Sequence, residues 1–206
     1  MDEWMRWTEH IKNLEKKLAP ANGILWKLRN ILPVKSKKLV YDALVHSHLS
    51  FMSPIWGLAS CKALINAQVL QNRVLRNVYE LPRLTNRINM YSHLVESHLP
   101  LRGICLLHIA SYMFNATHKL TLSNIDFNTT NNRNLRNSNA LRPAAARTNY
   151  GAKSIEAIGP RAFNKIPAEI KSSRHQHAFK WTLKCHLRNE SFIASCFDAS
   201  FFDLKI

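Results

Sequence analysis

Between residues 131 and 188 the chain carries 12 lysines and arginines against two acids, Glu156 and Glu169. The cations are Arg133, Arg136, Arg142, Arg147, Lys153, Arg161, Lys165, Lys171, Arg174, Lys180, Lys184 and Arg188. This stretch holds +10 of a net charge of +16. Two further groups lie upstream: Lys27, Arg29, Lys35, Lys37 and Lys38, then Arg73, Arg76, Arg83 and Arg87. Their chemistry is the binding of polyanions. Ammonium and guanidinium groups on an exposed helical face track phosphates and release condensed counterions, without reading base sequence. The bland alternative for any one of them is a solvated helix face.

Other chemistries find little to stand on. Five aspartates occur, Asp2, Asp42, Asp126, Asp198 and Asp203, and no two are adjacent. Cys61, Cys105, Cys185 and Cys196 form no CxxC pair, so neither a zinc ribbon nor a thioredoxin-like motif is indicated. They read as small buried apolar residues of a reducing compartment. His46 and His48 are two apart, which points them to different faces of a helix. His175, Cys185 and His186 lie close in sequence but match no structural zinc spacing. No Gly-x-Ser-x-Gly elbow and no phosphate-cradling glycine loop is present. The reading is a chain with no catalytic residue, no bound metal and no cofactor.

The elements that must position these cations read mainly as helix. Of 206 residues, 46% are apolar, with only 5 Gly and 8 Pro. That is enough to bury a core, with few tight turns. Trp7, Ile11, Leu14, Leu18, Ala21, Leu25, Leu28 and Leu32 form a stripe in steps of three and four. Thr8 is the candidate N-cap, Pro20 and Gly23 predict a kink or break, and Pro33 closes the segment. Ser36 is the candidate cap of a second helix carrying Leu39 to Phe51, distorted by Pro54 and stopped by Gly57. A third helix spans about Lys62 to Tyr79, with Leu64, Ala67, Leu70, Val74 and Val78 buried. Short connections favour a bundle.

Beyond Pro82, Thr85 or Asn86 caps a short helix, and a longer apolar one follows Pro100. The Asn-rich stretch Ser123 to Asn139 reads as a linker and as the main boundary. Gly159-Pro160 and Ile166-Pro167 read as turns, with at most two short strands between Leu141 and Ile158. Phe179, Leu183 and Leu187 mark a closing helix. The expected division is a helical bundle over 1–82, a helical extension over 83–122, the linker over 123–139, a basic α or α+β region over 140–190 and a tail over 191–206. The closing FDASFFDLKI fits no period and reads as a loose end. No apolar run reaches the length of a transmembrane helix.

Three blocks resemble one family in order and spacing. The first is WTEHIKNLEKKLAPANGILWKLRNILP, Trp7 to Pro33. The second is LVYDALVHSHLSFMSPIWG, Leu39 to Gly57, continuing into VLQNRVLRNVYELP, Val69 to Pro82. The third is ARTNYGAKSIEAIGPRAFNKIPAEIK, Ala146 to Lys171, with AFKWTLKCHL, Ala178 to Leu187. Together they resemble the region beyond the catalytic palm in reverse transcriptases of non-LTR retrotransposons, the jockey-like LINE elements included.

The resemblance implies a thumb, a helical bundle that grips duplex nucleic acid, followed by a basic C-terminal region associated with template RNA. It also implies an RNA-directed DNA polymerase whose paired palm carboxylates hold two magnesium ions. The same alignment places that palm, and the element's endonuclease, upstream of residue 1. The expectation is therefore an inert C-terminal fragment with sequence-tolerant affinity for an RNA or DNA duplex. Its candidate contacts are Lys27, Arg29, Lys35, Lys37, Lys38, Arg73, Arg76, Arg133, Arg136, Arg142, Arg147, Lys153, Arg161, Lys171 and Arg174. The expected setting is intracellular, nuclear or cytoplasmic, without a membrane. A palm in a longer product is a further expected partner. Self-association is expected if the stripe of the first helix lies bare. The alternatives are a decayed frame without function and a co-opted helical protein-interaction module.

Overall fold

A computed structural model describes residues 7–59, 61–94, 98–118, 141–148 and 151–197. The expected Asn-rich linker, with Arg133 and Arg136, lies outside them. The described residues are mainly α-helical and contain no β-strand, so neither of the two strands allowed for above forms. No helix among them is long and apolar enough to cross a membrane.

The chain divides into two compact units. The first comprises Met1–Cys105 and Leu187–Ile206, the second Leu106–His186. This division falls inside a helix. It also returns the last segment to the first unit, where sequence composition gives no sign of a partner.

In the first unit, α1 (Thr8–Lys27) lies along α5 (Cys61–Val78), its most extensive neighbour. Ile11, Leu14, Leu18, Ala21 and Leu25 are all buried. The stripe is therefore covered, and the expectation that the first helix presents a bare apolar face is corrected. Trp7, in the left-handed region at φ 58, occupies the N-cap position expected of Thr8. Pro20 does not break the helix. Pro20 and Lys16, whose carbonyl loses its donor, both face solvent, so that carbonyl can be hydrated.

After a turn, Pro33 caps α2 (Val34–Tyr41), so Ser36 lies inside the helix rather than ahead of it. A π-helical turn, Asp42–His46, leads into α3 (Ser47–Ser50). Tyr41, Val45 and Leu49 are fully buried along one face of this run. The chain then reverses at Met52, another left-handed residue at φ 52, before the short α4 (Ser53–Trp56). The Trp56 indole N–H donates to the Phe51 carbonyl at 2.6 Å and fastens the reversal. At Gly57 a Cβ would collide with Cys105 Sγ and the Ser53 carbonyl, so only glycine fits there.

The polar side chains of α5 are as constrained as its apolar ones. Gln71 Nε2 donates to the Tyr41 hydroxyl at 3.1 Å and the Leu99 carbonyl at 2.9 Å. The Tyr91 hydroxyl donates to Asn72 Oδ1 at 2.8 Å, and Gln68 Oε1 accepts from the Leu101 amide at 2.8 Å. This network ties α5 to α2 and to the start of α7 (Leu101–Thr117). Burial of such groups is tolerated because they find partners. Asn86 caps α6 (Arg87–Asn89), which continues into a π-helical turn, Met90–Leu94.

In the second unit, α7 continues past Cys105. A 3₁₀ turn (Gly151–Lys153) precedes α8 (Ile155–Asn164), α9 (Ala168–Lys171) and α10 (Gln176–His186). Phe179 stacks on Phe114 with centroids 4.4 Å apart. Asn164 pairs reciprocally with the amide and carbonyl of Leu141, both at 2.9 Å. Gly159-Pro160, expected as a turn, lies within α8. The carbonyl that Pro160 leaves without its helical donor is that of Glu156, and the Ala144 amide takes it at 3.3 Å.

A last helix, α11 (Glu190–Phe197), belongs to the first unit, and the closing stretch expected to be a loose end lies, beyond Phe197, outside the described residues. Ile193 and Cys196 are buried, and Phe197 lies 6.0 Å from the Tyr91 ring.

Candidate nucleic-acid interface

The end of α1 and the end of α5 meet side by side, joined by Asn77 Nδ2 donating to Asn22 Oδ1 at 3.0 Å. At the other end His10, in the first turn of α1, lies 5.7 Å from Trp56, shortly ahead of α5, so the two helices run in the same direction and both C-termini open onto one groove. Asn22, Trp26, Arg29, Arg73, Arg76, Asn77, Leu81 and Arg83 line it, around about 820 Å³ of open space. Four guanidinium groups converge there, and no carboxylate lines the groove.

Two of the arginines are held by backbone. Arg29 Nη2 donates to the Leu81 carbonyl at 3.3 Å, and Arg76 Nη2 to the Thr85 carbonyl at 3.0 Å. These bonds set the guanidinium planes; Arg76 Nε is buried and makes no hydrogen bond among the described residues. Arg73 and Arg83 are exposed. Helix C-termini attract cations by themselves, each carrying about −0.5 of an elementary charge. Two such ends offset only about one of the four guanidinium charges. A surplus of about three remains, enough to draw an anion rather than merely cap a helix.

Behind the groove sits an ion pair absent from the sequence reading. Lys37 is fully buried; its ammonium donates to Glu80 Oε1, and to the Arg29 carbonyl at 2.7 Å. Lys37 is thus removed from the expected phosphate contacts. It fastens the turn after α1 to the turn after α5, where Glu80 takes a left-handed φ of 57. The hydrogen bond from Lys37 and its charge, aided by the nearby Arg29, hold the Glu80 carboxyl below its ordinary value. The Glu80 carboxylate is therefore engaged with Lys37 instead of neutralising the arginines.

The other expected contacts are dispersed. Lys27 and Lys35 are exposed, and Lys38 sits half-buried with its Nζ 4.9 Å from the Tyr79 ring centroid. In the second unit Arg142, Arg147, Lys153 and Arg174 are exposed and Arg161 is half-buried. Lys171 is structural: its Nζ donates to the Asn164 carbonyl at 3.0 Å, near the Phe163 ring, and burial lowers its pKa. Among the described residues no group of three or more His, Cys, Asp or Glu is placed to hold a metal.

Trp26, Asn22 and Asn77 were not foreseen as groove residues. Trp26 had a sign: it falls beside Leu25, off the three-and-four stripe, and a tryptophan off the stripe must face outward. Asn22 and Asn77 had none, because their meeting depends on the parallel packing of helices 55 residues apart. No protein-family model, no curated protein and no solved structure matches this chain.

Proposed function

We propose that this chain binds nucleic acid through the groove between α1 and α5, gripping phosphates rather than reading bases. The observation that carries this is the convergence of Arg29, Arg73, Arg76 and Arg83 on a groove without an acidic lining residue. We further propose that the chain descends from the thumb and C-terminal region of a non-LTR retrotransposon reverse transcriptase. That lineage rests on the three sequence blocks. Polymerase chemistry needs paired carboxylates to hold two metal ions, and no two aspartates of the chain are adjacent.

The test is binding of a 20-base-pair duplex by the full chain, followed by fluorescence anisotropy from 50 to 200 mM salt. Four phosphate contacts give a slope near −3.6 in log affinity against log salt, an affinity loss of about 100-fold over that range. Arg73→Gln and Arg83→Gln should each weaken binding and shallow the slope by about one. A salt-insensitive interaction, or one indifferent to both substitutions, would overturn the reading. The co-opted adaptor remains the second reading. The stripe of α1 no longer supports it, but Leu39, Phe51, Met52 and Ile55 are exposed elsewhere on the first unit.

A further inference from the structure

Trp26 is 65% exposed at the edge of the arginine groove. An exposed indole leaves a large apolar area in water, and nothing in helix formation requires it at this position. The core of α1 is complete without it: Ile11, Leu14, Leu18, Ala21 and Leu25 are already buried. Its neighbours in the groove are mostly polar: Arg29 in the turn just past α1, and Arg73, Arg76, Asn22 and Asn77 around it. A groove that only tracked phosphates would gain nothing from an indole among its cations. Aromatic rings among guanidinium groups are the arrangement that takes both halves of an unpaired nucleotide, the base by stacking and the phosphate by charge.

We propose that the groove binds a single-stranded stretch of nucleic acid, with an unpaired base stacked on Trp26 and its flanking phosphates on Arg73, Arg76 and Arg83. This rests on the phosphate-gripping reading above and adds a base-recognising element to it. The stacking is sequence-tolerant, because every base offers a π face. The ring can be reached without unfolding, since it is exposed and lies at the last turn of α1.

The experiment compares two ligands of equal charge and length on the full chain. One is a 12-nucleotide oligothymidylate; the other has abasic sugars throughout the same phosphodiester backbone. The wild type should bind the base-bearing strand about 5- to 150-fold more tightly. Trp26→Leu, which keeps an apolar side chain but no ring, should bring the two affinities together, whereas Trp26→Phe should keep part of the difference. Arg73→Gln should weaken both strands alike. Circular dichroism checks that the variants retain their helices.

Equal wild-type affinity for the two strands, or a preference that survives Trp26→Leu, overturns the stacking proposal. If both strands still bind and depend on Arg73, the phosphate-gripping reading stands without it. If neither strand binds and the duplex does not either, both readings fail together.

Discussion

Lys37 illustrates how far a single residue can depart from its appearance in sequence. Within Pro33-Val-Lys-Ser-Lys-Lys it looks like one of a run of solvated cations, and its partner Glu80 is 43 residues away. No local pattern could announce the pair. The consequences of breaking it are unequal. Glu80→Ala leaves a fully buried ammonium with only the Arg29 carbonyl, whereas Lys37→Met leaves a half-exposed carboxylate that water can reach. Glu80→Ala should therefore lower the urea midpoint more than Lys37→Met does; the reverse order would mean that the pair is not buried as described. The pH dependence has a definite sign. The folded-state pKa of Glu80 lies below its ordinary 4.5, so its contribution is present above that value and fades as pH falls through the folded pKa. The stability gap between wild type and Glu80→Gln should shrink as the buffer is taken from pH 6 down through 4, and a constant gap would contradict the linkage.

At the scale of elements, periodicity told most and punctuation told least. The stripes of α1, α5 and α10 were legible because burial at i, i+3 and i+4 needs no knowledge of the partner. Proline and glycine were misread wherever a distant group supplied what the local chain lacked. Pro160 stays inside α8 because Ala144 donates to the carbonyl it leaves. Gln71 and Asn72, which look like wet-face residues, are buried because Tyr41, Tyr91 and Leu99 satisfy them. The same dependence on neighbours distinguishes two glycines. Ala at Gly57 would meet the Ser53 carbonyl, which cannot yield without moving the α4 backbone, and should cost about 1–3 kcal/mol. Ala at Gly159 would meet Met113 Sδ at 2.6 Å, the adaptable end of a flexible side chain, and should cost less. Urea titrations of the two variants decide it. If Gly159→Ala proved the more damaging, the packing of α8 on α7 would be tighter than the Met113 contact implies.

For the whole molecule, the count of charges sets a condition that no arrangement of helices can remove. There are 29 lysines and arginines and 13 acids, so 16 cations have no carboxylate to pair with. Their mutual repulsion opposes the compact state, and salt screens it over about 8–10 Å at ordinary ionic strength. Raising sodium chloride from 50 to 300 mM should therefore raise the thermal midpoint of the free chain. The same salt should lower its affinity for nucleic acid, since the cations that repel one another are those that release counterions on binding. The magnitude of that second effect tells how much of the surface takes part. The groove alone, with four phosphates, gives a loss of about 100-fold between 50 and 200 mM. Engagement of the basic residues between 131 and 188 as well, for six to ten phosphates in all, raises the loss to about 10³–10⁵. A slope of the smaller size that becomes shallower by about two in the Arg73→Gln, Arg83→Gln double variant assigns binding to the first unit. A steeper slope that survives those substitutions assigns it to the C-terminal cations. A thermal midpoint that falls with salt while binding weakens would mean that attractive pairs, rather than the unpaired sixteen, govern the free molecule.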